Sequence, residues 1–464
     1  MLRIFNSHSG VLETFAPLDP PKLGIYVCGI TVYDRCHLGH ARSFVAFDAI
    51  VRYLRFSGYQ VNYVRNITDI DDKMIAAALQ NTEPVAELAQ RMIDLMDRDL
   101  HRLGLAAPDA EPRATGHIAQ MIDMIERLIA AAHAYPSGGD VYFSVRSDPE
   151  YGSLSRRGLD AMQPEDPDTE RRKRDPLDFA LWKAEKPGEP AWDSPWGRGR
   201  PGWHIECSAM SEHHLGESFD IHGGGVDLKF PHHENEIAQS RCGSPGEFAR
   251  IWMHTGPLQA SDGEKMSKSL GNQTVLSDVL DAHPAEAVYL FLLGAHYRSP
   301  MEYSDALIAE AARGLRRLYG ALRAAPPGGS VIDSEVERFR TVMDDDFNTA
   351  EARSVLFDLA RQINRESGGA ARRAADLAAT LRHLGGVFGL LQADPEDFLR
   401  RSGSGSGSGA RESLNEADIE ALIAERTGAR SEGDFARADA IRDQLAAQGV
   451  VLLDSAEGTR WERS

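Results

Sequence analysis

The sequence predicts an α/β chain: a Rossmann-like parallel-sheet domain with an insertion, followed by an α-helical bundle and a small C-terminal mixed α/β module. Three observations carry that prediction. An apolar strand at Ile25, Tyr26 and Val27 passes through a glycine turn into an amphipathic helix and on to a second strand, the repeating unit of a parallel sheet. From residue 304 the pattern changes to helical stripes alone. Four Ser-Gly repeats at 402–409 form a tether spanning roughly 15 Å by random-coil scaling, beyond which two helical and two strand-like segments follow.

In the first unit Phe44, Phe47, Val51 and Leu54 repeat at helical spacing, and Gly58 stands where a left-handed cap would end the helix. The stretch Tyr26 to His40 brings a thiol and two imidazoles to one strand end. In open α/β sheets that edge, facing a helix N-terminus, binds nucleotides and their phosphates. His37, Gly39 and His40 therefore read as a phosphate cradle, with Gly39 letting the backbone approach a ligand. Two packing histidines near a helix start would fit the same tetrapeptide. Val61, Tyr63 and Val64 form the second strand, closed by turn and capping residues in Asn66-Ile-Thr-Asp-Ile-Asp-Asp72.

Val85, Leu88, Met92, Met96, Leu100 and Leu103 make one helical stripe, and Ile118, Met121, Ile125, Leu128 and Ala132 another, so two helices are expected to pack there as core. A strand follows at Gly139 to Val145. The stretch from it to Gly202 is rich in Pro, Trp, Gly and charge, as an insertion over the sheet would be. Within it Arg171-Arg-Lys-Arg174 fits a solvated loop or a phosphate contact. The sheet resumes near Trp203.

Ser304 caps a helix whose Ile308, Ala311, Leu315, Leu318 and Leu322 face one side, with Arg313, Arg316, Arg317 and Arg323 elsewhere. A second helix starts at Asn348 or Thr349, and the segment Ala370 to Leu391 completes a bundle ending near Arg400. After the tether, Ile419, Leu422 and Ile423 line one helix and Phe435, Ala438, Ile441 and Leu445 a second. Val450 to Leu453, a Glu457-Gly458 turn and Arg460-Trp461 complete an αα-ββ module.

Composition bounds the partners. The chain is 42% hydrophobic and 26% charged, ordinary for a globular protein, and it shows neither a signal-like N-terminus nor an apolar run long enough to span a bilayer, so a cytoplasmic protein is expected. A net charge of −19 argues against non-specific nucleic-acid binding by the whole surface but leaves room for a local basic face. Cys28, Cys36, Cys207 and Cys242 have no disulfide-framework spacing and fit a reducing compartment.

Two further constellations carry chemistry. His232 and Glu236, four apart after Pro231, project from one helical face, and with Cys28 and Cys207 they supply two sulfurs, an imidazole and a carboxylate, all zinc donors. His222, His233 and Cys36 are equally available in the sequence. Thiolate donors and zinc suit a sulfur-bearing ligand and would separate cysteine from serine. Lys265-Met-Ser-Lys-Ser269 sits on a glycine-bearing polar loop, where two lysines can stabilise charge building on an α-phosphate as pyrophosphate leaves.

With His37-Leu-Gly-His40 and Lys265-Met-Ser-Lys-Ser269 in that order around a sheet, the chain resembles the class I aminoacyl-tRNA synthetases, and among them the cysteinyl-tRNA synthetase family, over essentially its full length. Asn66 to Asp72, Gly199-Arg-Pro-Gly-Trp-His-Ile-Glu-Cys207, His222-Gly-Gly-Gly225 and Gly458-Thr-Arg-Trp461 carry the same resemblance. Leucine at position 38 replaces the family's more usual isoleucine, a volume-conserving change.

The resemblance implies ATP-dependent activation of L-cysteine to cysteinyl-adenylate, then transfer to the 3′ end of tRNA(Cys). It implies one Zn2+ per chain on Cys28, Cys207, His232 and Glu236 binding the substrate thiolate, with Mg2+ accompanying ATP. It places ATP against His37, Gly39, His40, Lys265 and Lys268, of which His37, His40 and Lys268 are the catalytic set. Cys28, Thr68 and Trp203 are the expected contacts to the amino acid. It divides the chain into a Rossmann catalytic domain in two halves (1–115 and 201–255), a connective insertion (116–200), a stem-contact region bearing the lysine motif (256–303), a tRNA-binding helical bundle (304–400), a linker (401–410) and an anticodon-binding module (411–464). A monomer with no membrane partner is expected. A related ligase family that joins cysteine to an amino-sugar shares the motifs and lacks the last module.

Overall fold

The structure, a computed structural model, describes residues 1–162, 172–260, 274–366, 371–401, 414–455 and 458–463. The chain divides into two compact units. One holds Met1–Ser277, Leu292–Ser304 and Phe339–Ala352, and the other Asp278–Phe291, Asp305–Arg338 and Arg353–Ser464. No helix among the described residues is long and apolar enough to cross a membrane.

The first unit is built on a four-stranded parallel sheet in the spatial order Phe248–Thr255, Ser218–Gly225, Lys22–Val27, Gln60–Arg65. Ile25, Tyr26 and Val27 are all buried, as a strand covered on both faces requires. The chain leaves Lys22–Val27 toward Gln60–Arg65 on one side, while Ser218–Gly225 leads to Phe248–Thr255 on the other. The gap between the two central strands is thus a topological switch point, the crevice where α/β sheets hold ligands. The helix Leu38–Phe56 buries the expected Phe44, Phe47, Val51 and Leu54, and Gly58 beyond it has φ +96°, the left-handed conformation that ends it.

Helix Asp72–Asn81 was not expected from the sequence; the Asp71 carboxylate caps it by accepting from the Lys73 backbone N–H. The two expected stripes form helices Val85–Leu103 and Ile118–Ala130, and both bury their apolar faces as core. Val85–Leu103 lies against Asp72–Asn81. Ile118–Ala130 lies against helices Trp203–Leu215 and Glu234–Gly243, because Met121, Ile125 and Leu128 join the core shared with Tyr26 and Cys207.

The insertion holds an antiparallel sheet of Ala134–Ser137, Asp140–Phe143, Phe179–Ala184 and Gly199–Pro201. Only the second of these strands is legible in the sequence, since proline in Ala134–Ser137 and glycine and proline in Gly199–Pro201 read as loop, and Phe179–Ala184 stands in a stretch otherwise rich in Pro, Gly and charge. Of the basic run, Arg172 pairs with Asp140 at 2.9 Å and the Arg174 guanidinium lies 4.0 Å over the Tyr135 ring, so both fold onto the insertion. Arg171 lies outside the described residues.

In the second unit helix Asp305–Ala324 buries Ile308, Leu315 and Leu318, and Tyr319 stacks on Phe398 with ring centroids 3.8 Å apart. Arg323 pairs with Glu462 at 2.8 Å. Helix Ala371–Val387 also belongs to this unit, whereas Asp333–Met343 and Thr349–Glu366 are each divided between the two units; the sequence does not announce Asp333–Met343 because it buries only Phe339 and Met343. The last module pairs helices Glu416–Ser431 and Phe435–Ala447 with an antiparallel hairpin, Val450–Ser455 and Gly458–Arg463, around Ile419, Ile441, Leu445 and Trp461. Phe435, expected on that helix's apolar stripe, is 66% exposed, since it occupies the first turn beyond reach of this small core.

Candidate functional site

At the start of helix Leu38–Phe56 two imidazoles take the place of a capping box. His37 Nδ1 accepts from the His40 backbone N–H at 3.2 Å, and the rings stack 3.4 Å apart. Burial, with His37 adding to it, holds the His40 imidazole well below its usual pKa, so it is neutral near pH 7. A Cβ on Gly39 would come within 3.0 Å of the His37 ring, which is the close approach the glycine allows. The Leu38 N–H donates to the Thr274 carbonyl at 2.9 Å, and the Leu276 N–H to the Cys36 carbonyl at 2.9 Å. Thr274 is the first described residue after 261–273; Lys265 and Lys268 lie outside the described residues.

Cys28 follows its strand directly, and its N–H donates to the Gly223 carbonyl at 2.9 Å, which fixes the thiol at the switch point. The strand can pass this close to helix Leu38–Phe56 because position 223 has no side chain: a Cβ there would lie 2.2 Å from the Phe47 ring. At Cys28 three separated segments meet. Cys28 Sγ is 3.6 Å from Cys207 Sγ and 3.4 Å from Glu236 Oε1, and Glu236 Oε1 is 3.0 Å from His232 Nε2. His232 belongs to the irregular turn Lys229–His233, and the regular helix begins only at Glu234, yet the spacing of four still brings the two side chains together.

Two overlapping donor sets exist: Cys28, Cys207, His232 and Glu236, and Cys28, His222, His233 and Glu236. All are buried. Burial pushes both thiols up, the Cys28 thiol strongly, and takes His232 down to about 3. Burial also raises the Glu236 carboxyl, but His222 and His232 outweigh it and hold the group below the usual carboxylate range. Glu236 Oε2 lies 3.3 Å from His222 Nε2 yet makes no well-formed hydrogen bond. A buried carboxylate oxygen without a partner, beside two thiols and a neutral imidazole, is what a zinc ion would satisfy. The 3.6 Å sulfur separation is close to the roughly 3.7 Å spanned by two tetrahedral bonds of about 2.3 Å. The His204 and His232 Nδ1 atoms are 2.9 Å apart, which turns the His232 Nε2 toward Glu236.

Beside the sulfurs, the Thr68 hydroxyl donates to Glu206 Oε2 at 2.8 Å, and Trp203 stacks on His232 with centroids 4.2 Å apart. The Gly29 N–H donates to Asn66 Oδ1 at 2.8 Å. One cavity of about 330 Å³ runs along these groups. Cys28, His37, Gly39, His40, Thr68, Trp203, Cys207 and His232 all line it, so the described residues singled out in the sequence, Glu236 behind them excepted, face a single space. Lys73 and Asp227 line it as well and were missed. Asp227 stands within the stretch from His222 to Glu236, whereas Lys73 had no local signal beyond following Asp72.

The family described as the class I (C) tRNA synthetase catalytic domain matches residues 14–313. A DALR domain matches 338–392, and a cysteinyl-tRNA ligase anticodon-binding domain matches 415–461. Among curated proteins, the chain is 56% identical to a cysteine–tRNA ligase of Halorhodospira halophila and 53% identical to one of Laribacter hongkongensis, with all of both chains covered in each case. Among solved structures it is similar to a Mycobacterium tuberculosis methionyl-tRNA synthetase in complex with methionyl-adenylate, at TM-score 0.57 and 18% identity over 79% of this chain and 89% of the other. At that identity the likeness concerns the fold alone.

Proposed function

The chain belongs to the cysteine–tRNA ligase family of class I synthetases, and on that premise we propose that it activates L-cysteine with ATP and passes the cysteinyl group to the 3′ end of tRNA(Cys). In the first step a carboxylate oxygen of cysteine attacks the α-phosphorus of ATP and pyrophosphate leaves. In the second a terminal ribose hydroxyl attacks the carbonyl carbon and AMP leaves. The observation that carries this reading is the single cavity joining the histidine-capped helix start to the buried sulfur, imidazole and carboxylate cluster.

In this reading His37, Gly39 and His40 receive the phosphates at a helix N-terminus, with the His40 imidazole neutral. Lys265 and Lys268 balance charge that grows on the α-phosphate and the departing pyrophosphate. Cys28, Cys207, His232 and Glu236 hold zinc. Bound there, zinc would supply a Lewis acid that prefers a thiolate to an alcohol, which is the selectivity against serine. Thr68 and Trp203 shape the pocket beside it, Thr68 held by Glu206 and Trp203 closing over His232. A pocket that demands one specific polar contact rejects an analogue lacking it by orders of magnitude, so no editing domain is required.

Cysteine-dependent exchange of pyrophosphate into ATP, measured with charging of a tRNA(Cys) transcript, tests the proposal. Both activities are expected. Exchange without charging, accompanied by transfer to an amino-sugar, would sink it; the match of 415–461 to an anticodon-binding domain favours tRNA.

A further inference from the structure

Away from this cavity, three histidines from two helices converge. His117 immediately precedes helix Ile118–Ala130, and His213 and His214 occupy the last turn of helix Trp203–Leu215. Their rings lie 5.0–5.4 Å apart, and one ligand nitrogen from each falls within 4.8 Å of the other two. His117 Nδ1 is 2.8 Å from the Arg113 carbonyl oxygen. A carbonyl only accepts, so Nδ1 carries the proton and Nε2 presents its lone pair. That lone pair faces His214 Nε2 at 3.1 Å. Two metal–nitrogen bonds of about 2.0–2.1 Å, opened by 90–109°, place their nitrogens roughly 2.9–3.4 Å apart, so the observed separation fits a shared ion.

We propose that His117, His213 and His214 form a second metal site, distinct from the sulfur cluster, that takes a divalent transition metal such as Zn2+, Ni2+ or Cu2+. An all-imidazole set suits these ions, whereas Mg2+ and Ca2+ require oxygen donors that the trio does not offer. Burial and the two neighbouring imidazoles keep His214 below its usual pKa, in the neutral form that ligates. His117 and His214 are half-buried and His213 is exposed, which leaves coordination positions for water. An ion here ties the start of Ile118–Ala130 to the far end of the helix that carries Cys207.

The test is a Cu2+ titration of full-length protein already holding one equivalent of zinc, followed by metal analysis and electron paramagnetic resonance. Wild type takes up one further ion with nitrogen splittings in its spectrum. The double variant His213→Gln/His214→Gln, and separately His117→Gln on the other helix, bind that ion about tenfold more weakly or not at all. Both variants keep the first zinc and their cysteine-dependent pyrophosphate exchange. Absence of a second equivalent in wild type shows only a histidine–histidine hydrogen bond and overturns the proposal, as does a second equivalent that persists unchanged in both variants.

Discussion

The Thr68 hydroxyl donates to the Glu206 carboxylate over 2.8 Å, with both side chains buried in the wall that also carries Cys207. Among the described residues Glu206 Oε1 has no hydrogen-bond partner, so the carboxyl group relies on this hydroxyl. Thr68→Val keeps the shape and removes the donor, at a cost of about 1–3 kcal/mol for the group left unsatisfied. If Thr68 shapes the amino-acid pocket, KM for cysteine rises about tenfold while KM for ATP stays within about twofold. An unchanged KM for cysteine assigns the pair a purely structural role.

Cys207→Ser replaces a soft donor with a hard one while preserving size, so zinc content falls well below one per chain and most cysteine affinity goes with it. ATP binding persists, because His37 and His40 are held by each other and not by the sulfur cluster. Metal analysis and equilibrium binding of each substrate check this. Full cysteine affinity in metal-depleted protein would refute the role given to the cluster.

How much of this was legible in the sequence depends on whether the signal was local. His37, Gly39 and His40 sit in one tetrapeptide between a strand and a periodic helix, so their place at the sheet edge followed from pattern. The sulfur cluster draws on residues up to 208 positions apart, and spacing alone could not choose among donors; the resemblance did. Even in space His222 and His233 form a second set with Cys28 and Glu236, so the ambiguity was physical. Lys73 and Glu206 escaped notice because nothing nearby in sequence announces a side chain whose partner lies across the fold. The short insertion strands were hidden by prolines and glycines, and helix Asp72–Asn81 by a cap taken for the end of a strand.

Gly223→Ala tests how tightly the two central strands must pass the helix. Its Cβ would lie 2.2 Å from the Phe47 ring, so strand or ring must move, with an expected loss of about 1–3 kcal/mol seen as a lower Tm. Because the Gly223 carbonyl accepts from the Cys28 N–H, zinc affinity falls too. Adding Phe47→Leu makes room and recovers part of both losses. Failure of the second substitution to couple to the first would show that the clash is relieved elsewhere.

In the C-terminal module the Asp454 carboxylate accepts from Arg426 at 2.8 and 2.7 Å and from Thr459 at 2.7 Å, and these bonds hold it well below the usual carboxylate range. A depressed folded pKa stabilises the module fully above the unfolded value of about 3.9, and the contribution is lost as pH falls from there through the folded pKa. Asp454→Asn therefore loosens the module at pH 7, and the gap from wild type narrows only below about pH 4. Hydrogen exchange of the hairpin amides in the full chain measures it. A gap that stays constant through the acid range would assign the effect to packing instead of charge.

Lys268 lies outside the described residues, and its role is tested by separating rate from affinity. Thr274 and Leu276, described residues that follow in the chain, are bonded through the backbone to Leu38 and Cys36 beside the histidine-capped helix start. A cation that acts on charge building at the α-phosphate, and not on ATP at rest, must affect the rate more than the affinity. Lys268→Ala should then slow adenylate formation by about tenfold or more in single turnover, with ATP affinity nearly unchanged. An equal loss in ATP affinity would make it a binding lysine, and the charge at the transition state would have to be met by another group in the cavity, with Lys73 a described cation in its lining.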